Sequence, residues 1–148
     1  MKRVFKDKPL TNLSLRRFEK PSGALADVSR RFCISIGLLQ PGDSRDVVVD
    51  LFALFLRASK IKRYLTINEI YGYFSGLNKR GVARSNIRRN MLRLKSIGFI
   101  EKTGNGYRVK EWLTLSELFN EYIQYKVNPT LSRIDEYAKL IDSREDEK

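Results

Sequence analysis

Residues 83–110 read ARSNIRRNMLRLKSIGFIEKTGNGYRVK. The first half has the period of a helix: Ile87, Met91 and Leu94, with Val82 before them and Ile97 after, recur at intervals of three to five. At 100° per residue these fall on one stripe, which predicts a face against a core. The side opposite Ile87 carries Ser85, Arg88, Arg89, Leu92, Arg93 and Ser96, and the helix predicted over 83–97 has no acidic residue. A basic face is by itself more often a solvated surface than a binding surface, so its neighbours decide how it is read. Gly98 is suited to end the helix, because glycine adopts the positive φ common at helix C-termini. Two short runs rich in aromatic and β-branched residues then flank Gly104-Asn105-Gly106, which predicts a hairpin over 99–110.

Upstream, Thr66-Ile67-Asn68-Glu69 has the S/T-x-x-E spacing of a capping box, in which the Thr and Glu side chains satisfy free amides at a helix start. A helix is predicted from Ile67, with Ile67, Ile70, Tyr71 and Phe74 as its stripe and Ser75-Gly76 as its end. The basic connection Leu77-Asn78-Lys79-Arg80-Gly81 leads into the helix at 83–97. Over about residues 46 to 110 this order resembles the winged-helix DNA-binding superfamily, especially regulators of the MarR and PadR kind. The stretch LRLKSIGFIEKTGNGYRV, residues 92–109, is its most specific part. The connection between the two helices is longer than the turn of about three or four residues usual in a helix-turn-helix.

The resemblance implies that helix 83–97 enters the major groove of double-stranded DNA and that the hairpin 99–110 is the wing. It implies base-edge roles for Ser85, Asn86 and Arg89, with Arg89 the first choice for a guanine, since arginine can donate two hydrogen bonds to O6 and N7. Asn86 suits an adenine or a structural capping role. Lys79, Arg80, Arg84, Arg88 and Arg93 are expected on phosphates, which set register without reading sequence. Lys102, Asn105 and Arg108 would add wing contacts. Leu92 has three readings: contact with a thymine methyl, packing on the wing, or a wrong helical phase.

The rest of the chain reads as support. Of 148 residues, 42% are hydrophobic and 31% charged, ordinary for a globular protein, whereas a net charge of +12 is not. Residues 1–45 carry 10 basic and 4 acidic side chains, residues 46–110 carry 14 and 4, and residues 111–148 carry 5 and 9. Positive charge is therefore concentrated on the segment that carries the resemblance and the segment before it, while the C-terminal part is acidic and suited to avoid a polyanion. Residues 1–20 read as a basic N-terminal arm, either a tail without a specific role or a strap adding phosphate contacts. Residues 21–42 read as a helical extension, with Leu25, Val28, Phe32 and Ile36 at helical spacing.

Pro41-Gly42-Asp43-Ser44 is the clearest linker, and Asp43 or Ser44 could cap a helix from about Arg45 to Ser59 that is apolar on most sides. The winged helix-turn-helix DNA-binding domain is accordingly bounded at 43–110, with Tyr64-Leu65 as a short first strand. In residues 111–148, Thr114 or Ser116 can start a helix bearing Leu115, Leu118, Phe119, Tyr122 and Ile123. Pro129 is expected to break it and Thr130 to cap a final helix with Leu131, Ile134, Tyr137, Ala138 and Ile141 close to one face. These stripes either fold back within the chain or pair with a second subunit. Pairing is favoured, because a helix-turn-helix gains two half-sites as a two-fold dimer. The fold class expected is mainly α with a small β-hairpin (α+β).

An enzyme is poorly supported. Histidine, the commonest general base and transition-metal ligand, is absent from the chain. The single cysteine, Cys33, allows neither an internal disulfide nor a metal cluster and reads as a small buried apolar residue. No phosphate-binding glycine loop or nucleophile elbow is present. Glu117, Glu121, Asp135 and Glu136 read as solvated surface charges, and Tyr71, Tyr73 and Phe74 as core more readily than as a ligand pocket. No metal site and no cofactor are expected.

The most apolar run, Val47 to Leu56, contains Asp50 and spans ten residues, against roughly 20 needed to cross a bilayer. No membrane partner is expected, and the N-terminal residues lack the pattern of a secretory signal, so the expected location is cytoplasmic. The functional expectation is a sequence-specific double-stranded DNA-binding protein, a transcriptional regulator acting as a homodimer. The alternatives are a plasmid or viral replication or partition protein, an RNA-binding or architectural protein, and a winged-helix protein-interaction module.

Overall fold

The computed structural model describes residues 12–40, 46–77 and 82–145. The chain is mainly helical with one two-stranded antiparallel hairpin. Helix α1 spans Leu25–Ser35, α2 Val47–Lys60, α3 Ile67–Ser75 and α4 Arg84–Ser96. Strands β1 (Ile100–Thr103) and β2 (Gly106–Val109) follow, then α5 (Leu115–Tyr122) and α6 (Asn128–Glu145). The linker residues 41–45 and the N-terminal residues 1–11 lie outside the described residues, and with them the expected cap at Asp43 or Ser44.

Helix α2 is the centre of the core. Val47, Val48, Leu51, Phe52, Phe55 and Ala58 are buried, and they cover so much of its circumference that several elements must pack around it. The inner stripe of α4 meets it with Ile87, Met91 and Leu94, and α3 contributes Ile70 and Phe74 to the same core. Aromatic rings close one end: Phe52 stacks on Phe32 at 5.7 Å and lies 6.4 Å from Phe99, while Tyr122 meets Phe99 edge-on at 6.3 Å. Cys33 is fully buried, and burial pushes its thiol up to about 12. It is a packing residue with no thiolate at neutral pH.

Local rules account for the element ends. Thr66 Oγ1 accepts from the Glu69 amide at 3.2 Å and the Glu69 carboxylate accepts from the Thr66 amide at 3.3 Å, the reciprocal box that starts α3. A second box starts α5, where Thr114 Oγ1 accepts from the Glu117 amide at 3.2 Å and the Glu117 carboxylate accepts in return. Glu117, read from sequence as a surface charge, is thus a capping residue, and Glu121 is bound to Lys110 Nζ at 2.9 Å. Gly98 follows α4 with φ +81.

The hairpin register pairs Ile100 with Val109, Glu101 with Arg108, Lys102 with Tyr107 and Thr103 with Gly106. Only two residues, Gly104 and Asn105, form the turn. Gly106 is the position that demands glycine: its φ is +129, and a Cβ there would lie 2.8 Å from the Leu65 carbonyl oxygen. Leu65 comes so close because its backbone exchanges two 2.8 Å hydrogen bonds with Tyr107. The short strand expected at Tyr64-Leu65 is therefore a single bridge against β2.

The C-terminal expectation needs one correction. Pro129 does not break the helix, because a π-turn at Ile123–Val127 carries α5 into α6 without interruption. Proline lacks the amide that would bond back to residue 125, and a widened turn accommodates that loss inside a continuing helix. Thr130 is not a cap either: its hydroxyl donates to the Lys126 carbonyl at 2.6 Å. Among the described residues, no helix is long and apolar enough to cross a membrane.

Candidate nucleic-acid interface

The inward stripe of α4 is buried against α2, so its rotation about its own axis is settled and the outer face can be read off. Ser85, Arg88, Arg89, Leu92, Lys95 and Ser96 are exposed along it. Leu92 is 65% exposed, so the helical phase is right and the side chain is not buried against the hairpin. Among the described residues, neither Arg88 nor Arg89 has an ion pair or hydrogen-bond partner, and α4 has no acidic residue in its first turn. The result is a row of cations with an apolar side chain at its middle. Asn90, the one buried polar residue among those described, donates to the Asn86 carbonyl at 3.0 Å.

Other expected contacts are tied into the protein. Arg84 lies over the Tyr71 ring with its guanidinium carbon 4.8 Å from the centroid, a contact that holds it at the start of α4. Asn86 is half-buried. Arg93 donates to the Gly37 carbonyl at 2.9 Å, joining α4 to the segment after α1. Lys79 and Arg80 lie outside the described residues.

On the hairpin, Lys102 and Asn105 are exposed, Lys102 within 5.7 Å of the Tyr107 ring centroid. The Asn105 amide donates to Thr103 Oγ1 at 3.2 Å, which shapes the turn and leaves the Asn105 side chain at its tip. Arg108 differs from both. It pairs with Glu101 at 3.0 Å and lies 5.1 Å from the Trp112 ring centroid and 5.6 Å from that of Tyr64. The two rings meet edge-on at 5.0 Å. Glu111 and Trp112 adopt left-handed φ values of 51 and 58 to bring the indole there, a conformation that costs non-glycine residues on the order of 1–2 kcal/mol each. Arg108 is therefore a structural pin at the base of the hairpin.

The sequence reading did not identify Trp112, Tyr64 and Tyr71 as partners of these arginines. Cation–aromatic contacts join residues up to 44 positions apart, as Arg108 and Tyr64 are, and no local spacing marks them. Lys95 was detectable, since it follows Leu92 by three on the same exposed side. Two electrostatic perturbations lie away from α4. Hydrogen bonding from the Thr66 backbone amide holds the Glu69 carboxyl below its ordinary value, and the Glu121 carboxylate raises the Lys110 ammonium above its own. Comparison with family models, curated proteins and solved structures finds no match to this chain.

Proposed function

We propose that this protein is a winged-helix, sequence-specific double-stranded DNA-binding protein, a transcriptional regulator that acts as a homodimer and performs no chemistry of its own. The observation that carries the reading is the outer face of α4: Ser85, Arg88, Arg89 and Leu92 are exposed on a helix whose opposite side is locked into the core. An α-helix of this kind fits the major groove, which is about 12 Å wide. Arg89 reads a guanine through O6 and N7, and Ser85 contributes a hydroxyl able to donate or accept. Arg88 meets a phosphate and Arg84, exposed although it lies over the Tyr71 ring, meets another, with Lys102 and Asn105 reaching the flanking backbone from the wing.

Arg108 and Arg93 are assigned scaffold roles, because each is already committed to protein partners. The charge distribution supports the same orientation, since residues 46–110 carry 14 basic side chains against 4 acidic ones. Such an excess draws a polyanion to this side of the molecule.

Selection of bound sequences from a random duplex pool tests the reading, followed by titration of the selected and a scrambled duplex at several salt concentrations. A consensus bound at least ~10³-fold more tightly than scrambled DNA is expected. A steep salt dependence without a consensus would mean that charge alone coats nucleic acid. No binding at moderate salt would overturn the reading and direct attention to a protein partner.

A further inference from the structure

Helix α6 stands away from the core. Every residue from Leu131 to Glu145 is exposed, although Leu131, Ile134, Tyr137, Leu140 and Ile141 are 45–62% exposed apolar side chains on one helix. An apolar helix face left in water contributes little, because most helical stability in proteins comes from packing such a face. Leu131, Ile134, Ala138 and Ile141 recur at steps of three, four and three, the heptad spacing of a two-helix seam. The polar residues leave this seam clear: Arg133 pairs with Glu136 at 3.1 Å and Lys139 with Asp135 at 2.8 Å, both along the helix itself.

We infer that α6 is covered by α6 of a second copy, in an antiparallel pair with Leu131 opposite Ile141 and Ile134 opposite Ala138. Taking Leu131 and Ala138 as a positions, the d positions are Ile134 and Ile141. Leucine at a with isoleucine at d moves parallel coils from two strands to three or four, so this pattern does not support a parallel pair. Parallel pairing would also stack Ala138 on Ala138, leaving a void, and bring Glu145 against Glu145 at the next a position. Antiparallel pairing sets the small Ala138 against the large Ile134 twice and moves the two Glu145 side chains to opposite ends of the pair. It also opposes the two helix dipoles and places Tyr137 beside its own copy near the two-fold axis.

Leu140 lies off this seam, and the seam side chains with Tyr137 expose roughly 500 Å² per copy, so the pair buries at most about 1,000 Å², the size at which specific interfaces begin. The two α6 starts then lie about 24 Å apart at 1.5 Å per residue, with one globular body at each end. This refines the dimer of the proposed reading by naming its segment, direction and register. It is tested without DNA, so a monomer that still selects a duplex, or a dimer that selects none, separates the two failures.

The test uses the full chain. Analytical ultracentrifugation at tens of micromolar is expected to give twice the single-chain mass, falling to one chain in Ile134→Asp. Under mild oxidation, Leu131→Cys and Ile141→Cys should each stay uncrosslinked alone and form one disulfide-linked pair when mixed, with Cys33 silent because it is fully buried. A monomeric wild type, a dimer unaffected by Ile134→Asp, self-crosslinking of either single variant, or no crosslink in the mixture would each overturn the inference.

Discussion

Arginine has two uses in this protein, and its surroundings separate them. Arg89 is exposed with no protein partner among the described residues, whereas Arg108 is held by Glu101 and two aromatic rings. Arg89→Ala should leave stability within about 0.5 kcal/mol, as surface substitutions usually do, while reducing the preference for selected over scrambled DNA. Equal loss on every duplex would make Arg89 a phosphate contact. Arg108→Ala should cost on the order of 1–2 kcal/mol, because a half-buried ion pair and a cation–aromatic stack go together. Denaturant midpoints would measure both. Gly106→Ala should cost on the order of 1–3 kcal/mol through positive φ and collision with Leu65. A Gly106→Ala midpoint equal to wild type would show that the Leu65 backbone can move aside.

At the scale of the element, the two capping boxes carry a prediction that the burial pattern does not. Thr66→Ala removes the acceptor for the Glu69 amide and should destabilise the protein by about 1 kcal/mol. The Glu69 carboxyl is held below its ordinary value of 4.5, first by the Thr66 backbone amide. A carboxyl with a depressed folded value contributes stability above its unfolded value, and that contribution is lost as pH falls through the folded value. Stability of the wild type should therefore decline below about pH 4.5 in part through this group. Thermal unfolding of Glu69→Gln across that range should show a shallower decline, and an identical slope would remove Glu69 from the acid response.

The whole molecule divides into a packed body and a projecting helix. Leu118 and Tyr122 of α5 are buried in the core, so a chain ended after Lys110 would lose core side chains and should unfold at least several degrees lower. A chain ended after Val127 keeps them and loses only α6. It should melt within a few degrees of the body of the full chain, read by circular dichroism, and a large drop would mean that α6 supports the body.

Much of this architecture could be read locally. The α4 stripe, the Thr66 box, the Gly98 stop and the hairpin follow from spacing and backbone preference within a few residues, so sequence alone determined them. The mainly α class, the concentration of positive charge and the exposed row Ser85, Arg88, Arg89 and Leu92 belong to the same category. Tertiary structure alone decided which arginines are committed, because Arg93 meets Gly37 and Arg108 meets Tyr64 across 56 and 44 positions. It also decided that Pro129 is carried within one helix by a π-turn and that α6 stays exposed from Leu131 to Glu145. A period of apolar residues shows that a face must be covered, but only the arrangement of the remaining chain shows whether anything in the molecule covers it.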